Sequence, residues 1–154
     1  MIVKVLIFFI ISFQIFGNDY HLEDIADTFN INKDILKKLE KNNIKTTIQF
    51  LLINKNSALR AKNSKIYKMS LDKLKKLTSL FSLMRIKGVG PTVALLLYEA
   101  KIKSLRTLNN SNLKKLEKKL LDINKKLKIS PFTPNLKNLV GWQKQITKFN
   151  IILK

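Results

Sequence analysis

The chain has 154 residues, with 30 Lys+Arg against 10 Asp+Glu, a formal net charge of +20, one His and no Cys. That length makes one domain or two very small ones, and the missing cysteines exclude disulfides, thiol nucleophiles, cysteine-held zinc and a lipid-modified N-terminal cysteine. With 45% apolar residues the chain can bury a core and is not a disordered basic tail.

Residues 1–17 read MIVKVLIFFIISFQIFG. One cation, Lys4, precedes an apolar run from Val5 to Phe16. The run matches the apolar region of a signal peptide and is shorter than the ~20 residues that span a bilayer. Residues 1–17 are expected to be an export signal cut near Gly17, leading to a periplasmic, envelope or secreted location. An uncleaved anchor is the alternative.

Everything after residue 18 reads helical, because no stretch alternates apolar and polar residues long enough for a sheet. The spacing predicts amphipathic helices over Tyr20–Phe29, Asp34–Asn42 and Thr46–Ile53. A polar loop, Asn54–Ser57, and a weak helix, Ala58–Tyr67, follow. Ser70 is a candidate N-cap for Leu71–Met84, where Leu74, Leu77, Phe81 and Met84 share one face. A helix from Pro91 to Ala100 and one short turn over Ser104–Leu108 come next. Ser111 or Asn112 caps Leu113–Leu127, which sets Leu113, Leu116, Leu120, Ile123 and Leu127 against a lysine face. Pro131 and Pro134 interrupt the chain before a last helix, about Leu136–Phe149, with Leu139, Trp142, Ile146 and Phe149 inward.

The charge is uneven. Residues 18–66 carry nine Lys+Arg and six Asp+Glu, whereas residues 67–154 carry twenty and four. A field of that sign attracts polyanions or anionic membrane surfaces.

A faint repeat runs at a spacing of 58 residues. Ile35-Leu36-Lys37-Lys38-Leu39 lies over Val93-Ala94-Leu95-Leu96-Leu97, and Phe50 lies over Leu108. The same shift sets Asn30-Ile31-Asn32-Lys33 on Gly88-Val89-Gly90-Pro91. Asn is the residue other than Gly that best tolerates a left-handed backbone, so the first copy reads as a worn version of the second.

The second copy carries the chemistry. Gly88 and Gly90 allow positive φ or close approach of the backbone to an outside group, and Val89 tucks between the helices. Pro91 suits a first helical turn. Unpaired amides at the positive end of a helix bind phosphate, with Thr92 adding a hydroxyl and Lys87 a charge.

A helix, an apolar-Gly-apolar-Gly turn and a second helix resemble the helix-hairpin-helix motif of DNA binders that do not read sequence. The wider string from Leu83 to Leu105, with Asn124, Pro134 and Trp142 after it, resembles the family catalogued as domain of unknown function 4332. The resemblance covers about residues 22–149. It implies a compact, all-helical, SAM-like fold with two tandem hairpins, and no established activity. Lys101 stands where that family usually has Gly, a change that costs little as long as the backbone is not left-handed. The first hairpin has Asn30 and Asn32 for its glycines, beside Asp27 and Asp34, and is poorly suited to phosphate.

The expectation is therefore an all-α bundle of short helices after a leader at 1–17. A degenerate first helix-hairpin-helix unit occupies 18–66 and an intact, basic second unit 67–154, within one compact domain. The expected function is non-enzymatic binding of DNA or another polyanion through backbone phosphates. Arg85, Lys87, Gly88, Val89, Gly90, Thr92, Lys101 and Lys103 carry it. The alternative is an exported protein-interaction or envelope-associated scaffold, with purely structural hairpins and its charge drawn to a protein partner or an anionic membrane surface. Asp122 has no acid/base partner in the pattern, and neither a catalytic residue, a metal site nor a cofactor is expected.

Overall fold

The computed structural model describes the backbone of residues 18–152 and the side chains of residues 18–148. The expected leader at 1–17 and the expected inward placement of Phe149 lie outside the described residues. Nine helices and no strand occur among the described residues, and the chain is all-α and compact.

The first helix, α1 (Leu22–Ile25), is shorter than the periodicity of Tyr20–Phe29 implies. A nonlocal pairing limits it at its start: Leu22 N donates to Lys45 O at 2.8 Å and Thr47 N to Tyr20 O at 2.9 Å. Asp19 holds the same crossing by accepting from Thr47 Oγ1 and Ile48 N, both at 2.9 Å. Beyond α1 the chain winds through a turn to Asn30, whose φ of 52° is left-handed.

Helix α2 (Lys33–Lys41) starts at the N-cap Asn32, and α3 (Thr47–Ile53) at a capping box of Thr46 and Gln49. Between α3 and α4 (Ser57–Tyr67) the sequence reads as a polar loop, yet Asn54 is fully buried. Its carbonyl accepts from Arg60 Nη1 and its side chain from Asn63 Nδ2, so α4 seals the end of α3. Those bonds, with the Asn56 cap on Leu59 N, explain a full helix where local periodicity is weak.

Helix α5 (Leu71–Met84) is capped by Ser70 and buries Leu74, Leu77, Leu80, Phe81, Leu83 and Met84. Phe81 stacks edge-on with Phe29 (5.6 Å, 70°) and with Phe50 (5.1 Å, 79°). One fully buried ring thus joins the two halves of the chain into a single core.

Helices α6 (Pro91–Glu99), α7 (Leu105–Asn109), α8 (Leu113–Leu127) and α9 (Leu136–Ile152) complete the bundle. Leu116 and Leu120 of α8 are buried as expected, but Leu127 is 53% exposed. The helix ends there, with Lys128 in the left-handed region at φ 50°.

The 58-residue repeat reaches the backbone. Asn30 and Gly88 both have positive φ, as do Asn43 and Lys101. Asn32 and Gly90 both occupy the N-cap of the following helix, and Phe50 and Leu108 are both fully buried. Lys101 is therefore left-handed, at φ 71°, and the cost that its sequence position left conditional is incurred.

Candidate polyanion interface

The turn between α5 and α6 is built from Arg85, Ile86, Lys87, Gly88, Val89 and Gly90. Ile86 and Val89 are fully buried and anchor it, while Lys87 and Gly88 face solvent. Gly88 has φ 94°, a conformation side chains rarely adopt. A methyl built on it would also lie 3.3 Å from Trp142 Nε1. Gly90 differs on both counts: its φ is −84°, and nothing lies within 4 Å of an added methyl.

Neither strain nor packing demands glycine at position 90, but capping chemistry separates it from its counterpart. Asn32, 58 residues earlier, accepts from Ile35 N at 2.9 Å and fills the start of α2 with its own oxygen. Thr46, Asn56, Ser70, Ser104, Asn112 and Asn135 make the matching bond elsewhere. Gly90 makes no such bond. Among the described residues, the amides of Gly88, Gly90, Thr92 and Val93 have no acceptor. An anion at this point meets unsatisfied N–H groups at the positive end of a helix.

Other donors near the turn are occupied. Lys87 N donates to Gln145 Oε1 at 3.0 Å, and Gln145 Nε2 donates back to Lys87 O at 3.1 Å. The Thr92 hydroxyl shares a 3.1 Å hydrogen bond with Ser130 Oγ, so its side chain braces the site rather than pointing outward. Arg85 is partly buried and its Nε is sealed without a partner. Burial lowers the Arg85 pKa from its usual value, although a guanidinium keeps its proton in proteins.

The turn does not gather all the residues the sequence assigned to it. Lys101 and Lys103 follow the C-terminus of α6, about 15 Å of helix away from Gly90 at ~1.5 Å per residue. Lys103 Nζ sits 5.2 Å from the Tyr98 ring centroid, with Lys76 Nζ at 5.3 Å. Lys103 also lines an open groove with Arg60, Asp72 and Lys75.

Other cations stand on α9, the helix whose Gln145 bonds to Lys87. Lys137, Lys144 and Lys148 of α9 are exposed and fall within about 40° of arc at ~100° per residue. Lys148 is one turn beyond Gln145, which grips the turn directly. Their i, i+7, i+11 spacing was visible, but not that α9 meets the turn, through Gln145 at Lys87 and Trp142 at Gly88. Among the described residues no group of three His, Asp or Glu side chains could hold a metal ion.

A family model described as "Domain of unknown function (DUF4332)" matches residues 30–148. No curated protein and no solved structure matches the chain.

Proposed function

The chain belongs to this family, and from that premise we propose that it is an exported, non-enzymatic protein that binds phosphodiester chains, duplex DNA foremost, without reading sequence. In this reading the Gly88–Gly90 turn with α5 and α6 acts as a helix-hairpin-helix unit. The amides of Gly88, Gly90, Thr92 and Val93 take phosphate oxygens. Lys87, Lys137, Lys144 and Lys148 supply the surrounding charge, while Lys101 and Lys103, at the far end of α6, are left out. The earlier copy is closed to anions because Asn32 already occupies its helix start.

The observation that carries this reading is the uncapped start of α6. Gly90 leaves without a partner the Val93 amide, the counterpart of the Ile35 amide that Asn32 takes in the other copy. Phosphate contacts of this kind position a protein on a duplex without specifying bases.

The test is Gly90→Asn, which gives α6 the cap that α2 has. Replacing a Gly N-cap with Asn changes stability by only a few tenths of a kcal/mol, so the fold is retained. Affinity for a 25-base-pair duplex, read by fluorescence anisotropy at low salt, is expected to fall at least about tenfold, as loss of charge-assisted bonds predicts. Wild type should show a log–log salt slope of about −4, one released counterion for each of four lysines. Unchanged duplex affinity in Gly90→Asn overturns the proposal. If the variant also holds anionic vesicles as wild type does, lysine count alone causes the adhesion and the scaffold reading replaces this one.

A further inference from the structure

We infer that the indole N–H of Trp142 is a ligand donor of the same site, completing a pocket for a phosphate diester oxygen beside Gly88. This rests on the phosphate-binding reading of the turn and adds a residue from α9 to it.

Trp142 is only 4% exposed, and its ring belongs to the core with Leu139 and Ile146. An indole nitrogen is a donor only, and when buried it usually finds an acceptor. Here it has none among the described residues, and it is not sealed, since Arg85 Nε is the one fully enclosed side-chain N or O atom without a partner among them. The nitrogen edge therefore opens toward solvent beside the turn, where the Gly88 Cβ position lies 3.3 Å away.

Glycine at position 88 thus serves two ends. It accepts φ 94°, and it leaves the indole N–H uncovered. One phosphate diester presents two unesterified oxygens. One can take the indole N–H while the other meets the amides at the start of α6, the two sets of donors being brought together by the Gln145–Lys87 bonds. The indole is neutral, so it orients the phosphate without adding to counterion release.

The chain has one tryptophan, so its indole N–H gives a single cross-peak in a proton–nitrogen spectrum. Titration with a 25-base-pair duplex is expected to shift that peak downfield together with the Gly88 and Gly90 amides. If the turn amides shift and the indole does not, the inference falls and the phosphate-binding turn stands. If neither shifts, both fall. Trp142→Phe keeps a ring in the core and removes the donor. It is expected to bind about tenfold more weakly with the salt slope of wild type. Wild-type affinity in a folded Trp142→Phe variant overturns the inference. Should the variant unfold, the wild-type titration still decides.

Discussion

The Gln145 side chain pairs with both backbone polar groups of Lys87, accepting from its N–H at 3.0 Å and donating to its carbonyl at 3.1 Å. A side-chain amide thereby takes the place of a neighbouring peptide group. The pairing joins residues 58 positions apart and fixes α9 against the turn that ends in Gly90.

Gln145→Ala removes both bonds at a partly exposed position and is expected to cost about 1 kcal/mol. Gln145→Glu is expected to cost about 1–2 kcal/mol, because a carboxylate accepts from Lys87 N but sets a second oxygen against Lys87 O. It also brings a negative charge to the turn, so duplex affinity should drop further than in the Ala variant. Urea unfolding and anisotropy titrations of the two variants check both orders.

Lys101 and Asn43 share a left-handed backbone, at φ 71° and 59°. A side chain with a Cβ costs roughly 1–2 kcal/mol there, and Asn is the residue that bears it best. Lys101→Gly is therefore expected to stabilise the protein by about 1 kcal/mol net of the glycine's unfolded-state entropy. Asn43→Gly should stay within about 0.5 kcal/mol of wild type. Lys101 lies far from the turn, so the duplex salt slope should not change in Lys101→Gly. Thermal unfolding and a salt titration of the two variants test the pair.

The parts of this molecule written in local chemistry were legible in its sequence. Ser70 and Asn112 mark helix starts because a short polar side chain reaches the amide three residues on, and both do so. The 58-residue repeat predicted Asn30 as a stand-in for Gly88, and both are left-handed. The late start of α1 was hidden because its cause is a pairing with Lys45 and Thr47, more than twenty residues away. The role of Gln145 was hidden for the same reason, and Lys137, Lys144 and Lys148 with it. Lys101 and Lys103 followed the glycines closely in sequence, but α6 carries them to its other end.

Gly88→Ala puts a methyl where φ is 94° and Trp142 Nε1 is 3.3 Å away. The backbone penalty alone is about 1–3 kcal/mol, and the indole must also move. The expected loss is about 2 kcal/mol in urea unfolding, with a change in native-state tryptophan fluorescence. Gly90→Ala, at φ −84° with open space around it, should lose about 1 kcal/mol or less. Equal losses in the two variants would contradict the different roles assigned to these glycines.

Asn124 holds the segment between α8 and α9. Its Nδ2 donates to Ser130 O at 2.8 Å and to Thr133 Oγ1 at 2.7 Å, and its Oδ1 accepts from Ser130 N at 2.9 Å. Ser130, buried by this arrangement, shares a hydrogen bond with Thr92 in the first turn of α6. Asn124→Ala removes all three bonds and strands buried backbone groups of Ser130, at an expected cost of about 2–3 kcal/mol. Asn124→Asp keeps the acceptor for Ser130 N but loses both donations and places a charge against Ser130 O, so it should cost nearly as much. The effect should spread to the turn, because Thr92 loses its brace. Amide exchange at Ala94, whose N–H donates to Gly90 O, is then expected to quicken in both variants while that of Leu77, deep in α5, does not. Uniform quickening across α5 and α6 would mean that Asn124 supports the bundle as a whole rather than the anchor of this site.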